Sequence, residues 1–188
     1  MKMNLFFISI LFFAFTSCGN KPNKTEAKNE SGQSETVSRP DLTFKKSFVA
    51  DEGGWASQMI VHADASNGKQ YEFSIELPTP KDTTFVGESI TEDDMNFDGY
   101  ADIQVQLGYF GAGGGNLIYD AFVWNNQTQT FDRVENYTNL CNPSIDAANK
   151  CIVSHGNPIG YSIEYEKYEW QEGKLVITKQ WIEEMQSE

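Results

Sequence analysis

From Leu42 onward the apolar residues return at every second position, and this alternation restricts the fold more than any other feature of the chain. It marks candidate strands at Leu42–Ala50, Ser57–Ala63, Gln70–Leu77, Tyr100–Tyr109, Leu117–Trp124, Thr130–Tyr137, Lys150–Ser154, Gly160–Gln171 and Lys174–Glu184. Turn chemistry separates them. Asn67-Gly68 and Glu172-Gly173 are two-residue hairpin signals, and Asn125-Asn126-Gln127-Thr128 is a third turn. Helix is expected nowhere except in the last turns of ITKQWIEEMQSE. Runs of hairpins without amphipathic helices predict an antiparallel all-β domain.

The 188-residue chain is long enough for one such domain and a tail. Lys2 supplies a positive start, and Leu5 to Phe15 (LFFISILFFAF) is an apolar stretch too short to span a bilayer comfortably. Phe15-Thr16-Ser17-Cys18-Gly19 follows and resembles the lipobox of bacterial lipoproteins. That resemblance implies a signal peptide over 1–17, lipidation of the Cys18 thiol, and attachment to the membrane by the lipid anchor only. It places the protein in a bacterial cell envelope, at an outer membrane, facing the periplasm or the cell surface. Residues 18–40 are almost devoid of apolar side chains beyond Cys18 and read as a flexible tether. The β domain is then 41–188.

Charge is concentrated in that domain. The whole chain carries −13, and residues 41–188 hold nine basic against 24 acidic side chains, about −15. A field of that sign argues strongly against nucleic acid and anionic headgroups as ligands; it favours cations and a basic protein partner, or serves only to keep the domain soluble. With Cys18 lipidated, Cys141 and Cys151 remain, bracketing NPSIDAANK. An even remainder in an exported chain predicts a disulfide, which for a loop of this size contributes ~2–3 kcal/mol.

The densest chemistry lies in DDMNFDGYADIQV, Asp93 to Val105. Counted from Asp94, side-chain oxygens fall at Asp94, Asn96, Asp98 and Asp102, with Gly99 directly after the third. Ca2+ takes six to eight hard oxygen ligands, and a tight loop presents them at alternate residues. Glycine allows the reversal that brings round the Tyr100 carbonyl, and Asp102 closes the ring directly or through water. An EF-hand requires Glu at the twelfth position, where Val105 stands here. The alternative is an uncoordinated acidic turn, since Asp, Asn and Gly are also turn formers. Repulsion among adjacent carboxylates, relieved by a counter-ion, favours calcium.

The D-x-N-x-D-G-x-x-D spacing resembles the calcium loops that precede strands in FG-GAP repeats. From Ser89 to about Lys179 the chain runs through this loop, GYFGAGGGN, a strand ending in Trp124, the NNQTQTF hairpin and GYSIEYEKYEWQEGKLVITK. This order resembles the calcium-binding periplasmic lipoproteins of Xanthomonas-type bacteria, immunity proteins against peptidoglycan hydrolases delivered by a type IV secretion system. The resemblance implies an irregular β-propeller-like fold, where the strand pattern alone equally allows a sandwich, and it implies inhibition of a lysozyme-like enzyme. Ser154-His155-Gly156 leading to Gly160-Tyr161 resembles the Ser-Gly-x-x-Tyr loop with which periplasmic lysozyme inhibitors plug a cleft, so Ser154, His155 and Tyr161 are candidate partner contacts.

Other motifs point away from catalysis. Gly108 to Gly115 lacks the Gly-Lys-Ser/Thr and helix of a phosphate loop. Glu164 and Glu166 share a strand face opposite Tyr161, Ile163 and Tyr165, the pattern of a solvated acidic face more often than of a glycosidase pair. His62 and His155 belong to no nucleophile motif. Two classes of function follow: an exported binding protein directed at a cell-wall hydrolase, without enzymatic activity, or a surface lipoprotein that binds or cleaves glycans.

Overall fold

The computed structural model describes residues 39–81, 87, 89–110 and 115–185. Cys18, the 1–17 leader and nearly all of the tether lie outside these residues, as do 111–114 of the glycine run.

Among the described residues eleven strands form three antiparallel sheets. The first sheet joins β1 (Leu42–Ala50), β2 (Ala56–Ala65) and β3 (Gln70–Lys81) in sequence order. The second joins β4 (Ile90–Asp93), β5 (Asp102–Phe110), β6 (Asn116–Asn125) and β7 (Thr130–Arg133). The third joins β11 (Lys174–Glu184), β10 (Ser162–Gln171), β9 (Cys151–His155) and β8 (Ser144–Asp146). Every neighbouring pair is consecutive in sequence, so hairpins alone connect the strands within a sheet. No closed barrel forms, and the architecture is that of a layered β sandwich.

Two cores hold the layers together. Met59, Val61, Phe73 and Ile75 of the first sheet meet Ile103, Val105, Leu107 and Phe122 of the second in one buried cluster. On the other side, Ala121 with Tyr137 and Leu140 meets Ile152 and Tyr168 of the third sheet. The second sheet is therefore covered on both faces. This explains why Asp102 through Gly108 are all buried, the polar Gln104 and Gln106 included. Edge-to-face contacts of Tyr71, Trp124 and Phe131 seal the first interface.

Several expectations from the sequence are revised. The stretch Tyr100–Tyr109 begins as a strand only at Asp102, and Thr130–Tyr137 stops at Arg133 before a single 3₁₀ turn at Tyr137–Asn139. The short strands β4 and β8 were not anticipated. The C-terminal segment is strand through Glu184, because register with β10 carries on to the pair Ser162↔Glu184. Arg39, placed in the tether, belongs to the domain. Its side chain is buried, pairs with Glu92 at 3.0 Å and lies over the Phe131 ring.

The disulfide is also corrected: Cys141 and Cys151 are free thiols. Strand β9 keeps them apart. The Cys141 amide meets the Ser154 hydroxyl, and its carbonyl accepts the His155 N–H at 3.0 Å. Cys151 lies at the opposite end of the same strand, ~10 Å away at ~3.3 Å per residue. Bridged cysteines need Cα atoms within about 7 Å. Burial raises the pKa of both thiols, which also makes them poor nucleophiles. Alkylation of unfolded, unreduced protein followed by mass spectrometry is expected to label both Cys141 and Cys151; an unlabelled, linked pair would contradict this arrangement.

Candidate functional site

The acidic loop is the turn of the β4–β5 hairpin. Asp93 pairs with Asp102, and the eight residues between them close the loop. Its interior is organised by side-chain oxygens accepting backbone amides. Asp94 accepts the N–H groups of Asp98 at 3.0 Å and Gly99 at 2.9 Å. Asn96 Oδ1 accepts the Asp98 N–H at 3.1 Å, and Asp98 accepts the Tyr100 N–H at 2.9 Å. Two residues take left-handed backbone, Phe97 at φ 63° and Gly99 at φ 93°. Only at Gly99 does that conformation come without a Cβ penalty, which is why the reversal is placed there.

Asp102 has a different environment. It is fully buried, and its Oδ2 accepts the amides of Met95 at 2.9 Å and Asn96 at 3.3 Å, while Oδ1 accepts the Trp124 amide at 2.8 Å. Burial lifts its carboxyl to about 7 against the opposing pull of those three N–H groups, and the charge of Asp98 adds to the rise. A second clamp comes from the third sheet, where the Trp170 Nε1–H donates to the Met95 carbonyl at 2.6 Å. Met95 itself is completely buried, so its side chain plugs the loop into the second core. The Tyr137 hydroxyl is buried in that core without a partner among the described residues.

The donor set suits calcium in kind: two carboxylates, one side-chain amide oxygen and a backbone carbonyl after the glycine, all hard oxygens. Among the described residues no group of three or more His, Cys, Asp or Glu side chains converges. Asp102, expected to close the ring, is turned inward and spends its oxygens on amides. Asp94, Asn96 and Asp98 turn oxygens onto the loop's own amides, and Asp102 holds the loop to the sheet.

The three candidate partner contacts divide. Tyr161 stands 73% exposed beside Ile159 at 74%, on a turn closed by the Ile159↔Ser162 bridge. His155 is half-buried and packs on Tyr165 at 5.5 Å, and Tyr165 in turn stacks on Trp181 at 5.1 Å. Ser154 is buried, and its hydroxyl donates to the Cys141 carbonyl at 2.8 Å, so it clasps the 139–142 segment and is not offered to a partner. Ser154 and His155 nonetheless line one open pocket of about 610 Å³ with Cys141, Glu164, Glu166 and Gln180. Glu166 accepts the Tyr168 hydroxyl at 2.5 Å and the Gln180 amide at 2.7 Å. Burial and this carboxylate both raise the Tyr168 pKa.

Sequence reasoning missed the ion pair between the buried Asp120 of β6 and the exposed Arg133 of β7, 2.7 Å apart. Burial raises the Asp120 carboxyl while Arg133 pulls it back. The signal was an aspartate inside the apolar run LIYDAFVW, an unlikely place for an unpaired charge.

No protein-family model matches the chain, and no curated protein matches it in sequence. Among solved structures, a Xanthomonas type IV secretion system related protein superposes with a TM-score of 0.55, covering 76% of this chain and 78% of that one at 17% identity. The two share a fold. At that identity the likeness concerns the fold alone.

Replacing Asp102 by Ala leaves three amides without their acceptor. The variant is expected to lose about 3 kcal/mol of stability in urea unfolding, whereas Asp132→Ala on the exposed β7 strand stays within about 0.5 kcal/mol. Equal midpoints for Asp102→Ala and wild type would show that the carboxylate does not hold the loop.

Proposed function

We propose that the chain is an exported, lipid-anchored, calcium-binding β protein that binds a basic protein, a cell-wall hydrolase, and inhibits it without enzymatic activity of its own. Cys18 carries the lipid at an outer membrane, with the domain facing the periplasm or the cell surface. The observation that carries this reading is the acidic pocket next to the exposed turn. Gly156 and Glu164, which line the pocket, bond to each other across the base of the segment bearing Ile159 and Tyr161. An exposed aromatic and aliphatic tip beside two glutamates suits a basic enzyme surface, and a domain of about −15 steers such a partner into contact. The description of the Xanthomonas neighbour as related to type IV secretion supports an envelope setting.

In this reading calcium is held by Asp94, Asn96, Asp98 and the Tyr100 carbonyl, with Asp102 fixing the loop from behind. The ion supplies charge neutralisation for the loop carboxylates. The protein supplies the rest: Met95 and the Trp170–Met95 bond set the loop against the third sheet, so ion occupancy stabilises the side of the domain that carries the pocket.

Two measurements test these parts separately. Exported calcium modules bind with Kd ~10⁻⁴–10⁻³ M, and calcium at about a hundred times Kd adds ~2.7 kcal/mol if only the native state binds. The melting temperature is therefore expected to fall in chelator for wild type and for Glu52→Ala in the exposed β1–β2 turn, and to be insensitive for Asp98→Ala. A wild-type melting temperature that ignores chelator would refute the calcium site.

For the partner, a basic lysozyme-type muramidase is the probe. The domain should slow its hydrolysis of cell walls at low salt, and Tyr161→Ala and Glu164→Lys should each weaken inhibition about tenfold. Full enzyme activity at a large excess of the domain across a panel of such muramidases would overturn the inhibitor reading.

A further inference from the structure

Beside the acidic loop the second and third sheets part and leave an open cleft of about 840 Å³. Three stretches distant in sequence build it: Asn96 and Asp98 of the loop, the β6–β7 hairpin with Asn136 beyond it, and the β10–β11 hairpin from Trp170 onward. The volume falls inside the range of ligand sites, about 300–1,000 Å³. It shares no lining residue with the pocket at Glu164.

The walls are close to neutral. Asp98, Asp132 and Glu135 face Arg133 and Lys174, which leaves about one negative charge in a domain that carries about −15. An anion is repelled by the domain, and a cation finds more negative ground elsewhere. The ligand chemistry that suits the cleft is neutral and polar.

Five side-chain amides line the cleft beside these five charged groups, and each amide both donates and accepts, as a sugar hydroxyl does. The hairpin is preformed. Asn125 donates to Asp132 at 2.9 Å and accepts the amides of Gln127 and Thr128 at 3.0 and 3.2 Å. Among the described residues the side chains of Gln127 and Asn136 make no hydrogen bond, so both are free to meet a ligand. The half-buried Trp170 adds the apolar element. Its N–H is committed to the Met95 carbonyl at 2.6 Å, which fixes the indole; part of the ring packs on the second core and the rest lines the cleft. A fixed aromatic surface with free amides around it complements a pyranose, which has C–H faces and a rim of hydroxyls.

We propose that this cleft binds a neutral oligosaccharide, with Trp170 as the stacking surface and Gln127 and Asn136 as hydrogen-bonding groups. The site is independent of the basic-partner pocket, and either can fail without the other.

The test is calorimetric titration of the intact chain, in calcium-containing buffer, with three tetrasaccharides: β-1,4-linked N-acetylglucosamine, β-1,4-linked glucose and α-1,4-linked glucose. At least one is expected to bind with a Kd of about 1 mM or tighter. Trp170→Ala and Gln127→Ala should each weaken that binding about tenfold, while Glu164→Gln in the other pocket leaves it unchanged. Gln127 is exposed at the hairpin turn, so its variant carries the test even if Trp170→Ala unfolds. No binding of any of the three sugars up to about 10 mM, or binding unaltered in Gln127→Ala, would overturn the proposal.

Discussion

Asp102 ties together three parts of the chain that nothing else joins so directly. Its carboxylate, with no solvent exposure, accepts amides from the loop before it and from β6 beside it. A buried carboxylate is costly unless its oxygens are satisfied, so the amides of Met95, Asn96 and Trp124 must be in position for the domain to close. The acidic loop therefore cannot move independently of the central sheet. Hydrogen bonds connect the loop through Asp102 to Trp124 and through Met95 to Trp170 of the third sheet.

The alternating strands were legible because most of them have one buried and one open face. On β2 the buried residues Met59, Val61 and Ala63 alternate with Ile60, His62 and Asp64, and the sequence shows it directly. The pattern weakens in the central sheet, where both faces are covered. On β5 the residues facing the first sheet are Ile103, Val105 and Leu107, and those facing the third are Asp102, Gln104 and Gln106, all buried. Polar residues there looked like a solvent face. Short strands failed for another reason: the three and four residues of β8 and β4 are defined by their neighbours' register and carry too little pattern of their own.

The misreadings at the cysteines and the C-terminus have the same origin in tertiary pairing. Nine residues between Cys141 and Cys151 suggest closeness, but the chain spends them going out along β8 and round a turn, so Cys151 begins β9 while Cys141 lies against that strand's other end at Ser154 and His155. The last segment, rich in good helix formers, is held extended by its ladder with β10. At the loop, spacing revealed the oxygens without revealing their directions. Asp102 shares the motif with Asp94 and Asp98, yet it begins β5 and its side chain follows that strand into the core.

The two outermost sheet faces then differ in a way that orients the whole molecule. The open face of the first sheet is conventionally polar, with Lys45 bonded to Asp64 and His62 beside Glu72. The open face of the third carries a cross-strand row in which His155, Tyr165 and Trp181 stand opposite one another, capped by Lys179 over the indole at 5.0 Å. Such a row stiffens three strands from outside, where no further layer packs on them. The same sheet supplies Glu164 and Glu166, together with this row, to one pocket and Trp170 to the cleft beside the loop. A rigid third sheet is what allows both openings to keep their shape at the edge of the second core. The first sheet, by contrast, contributes apolar mass and a solvated back, so the two proposed binding sites both draw on β10 and β11.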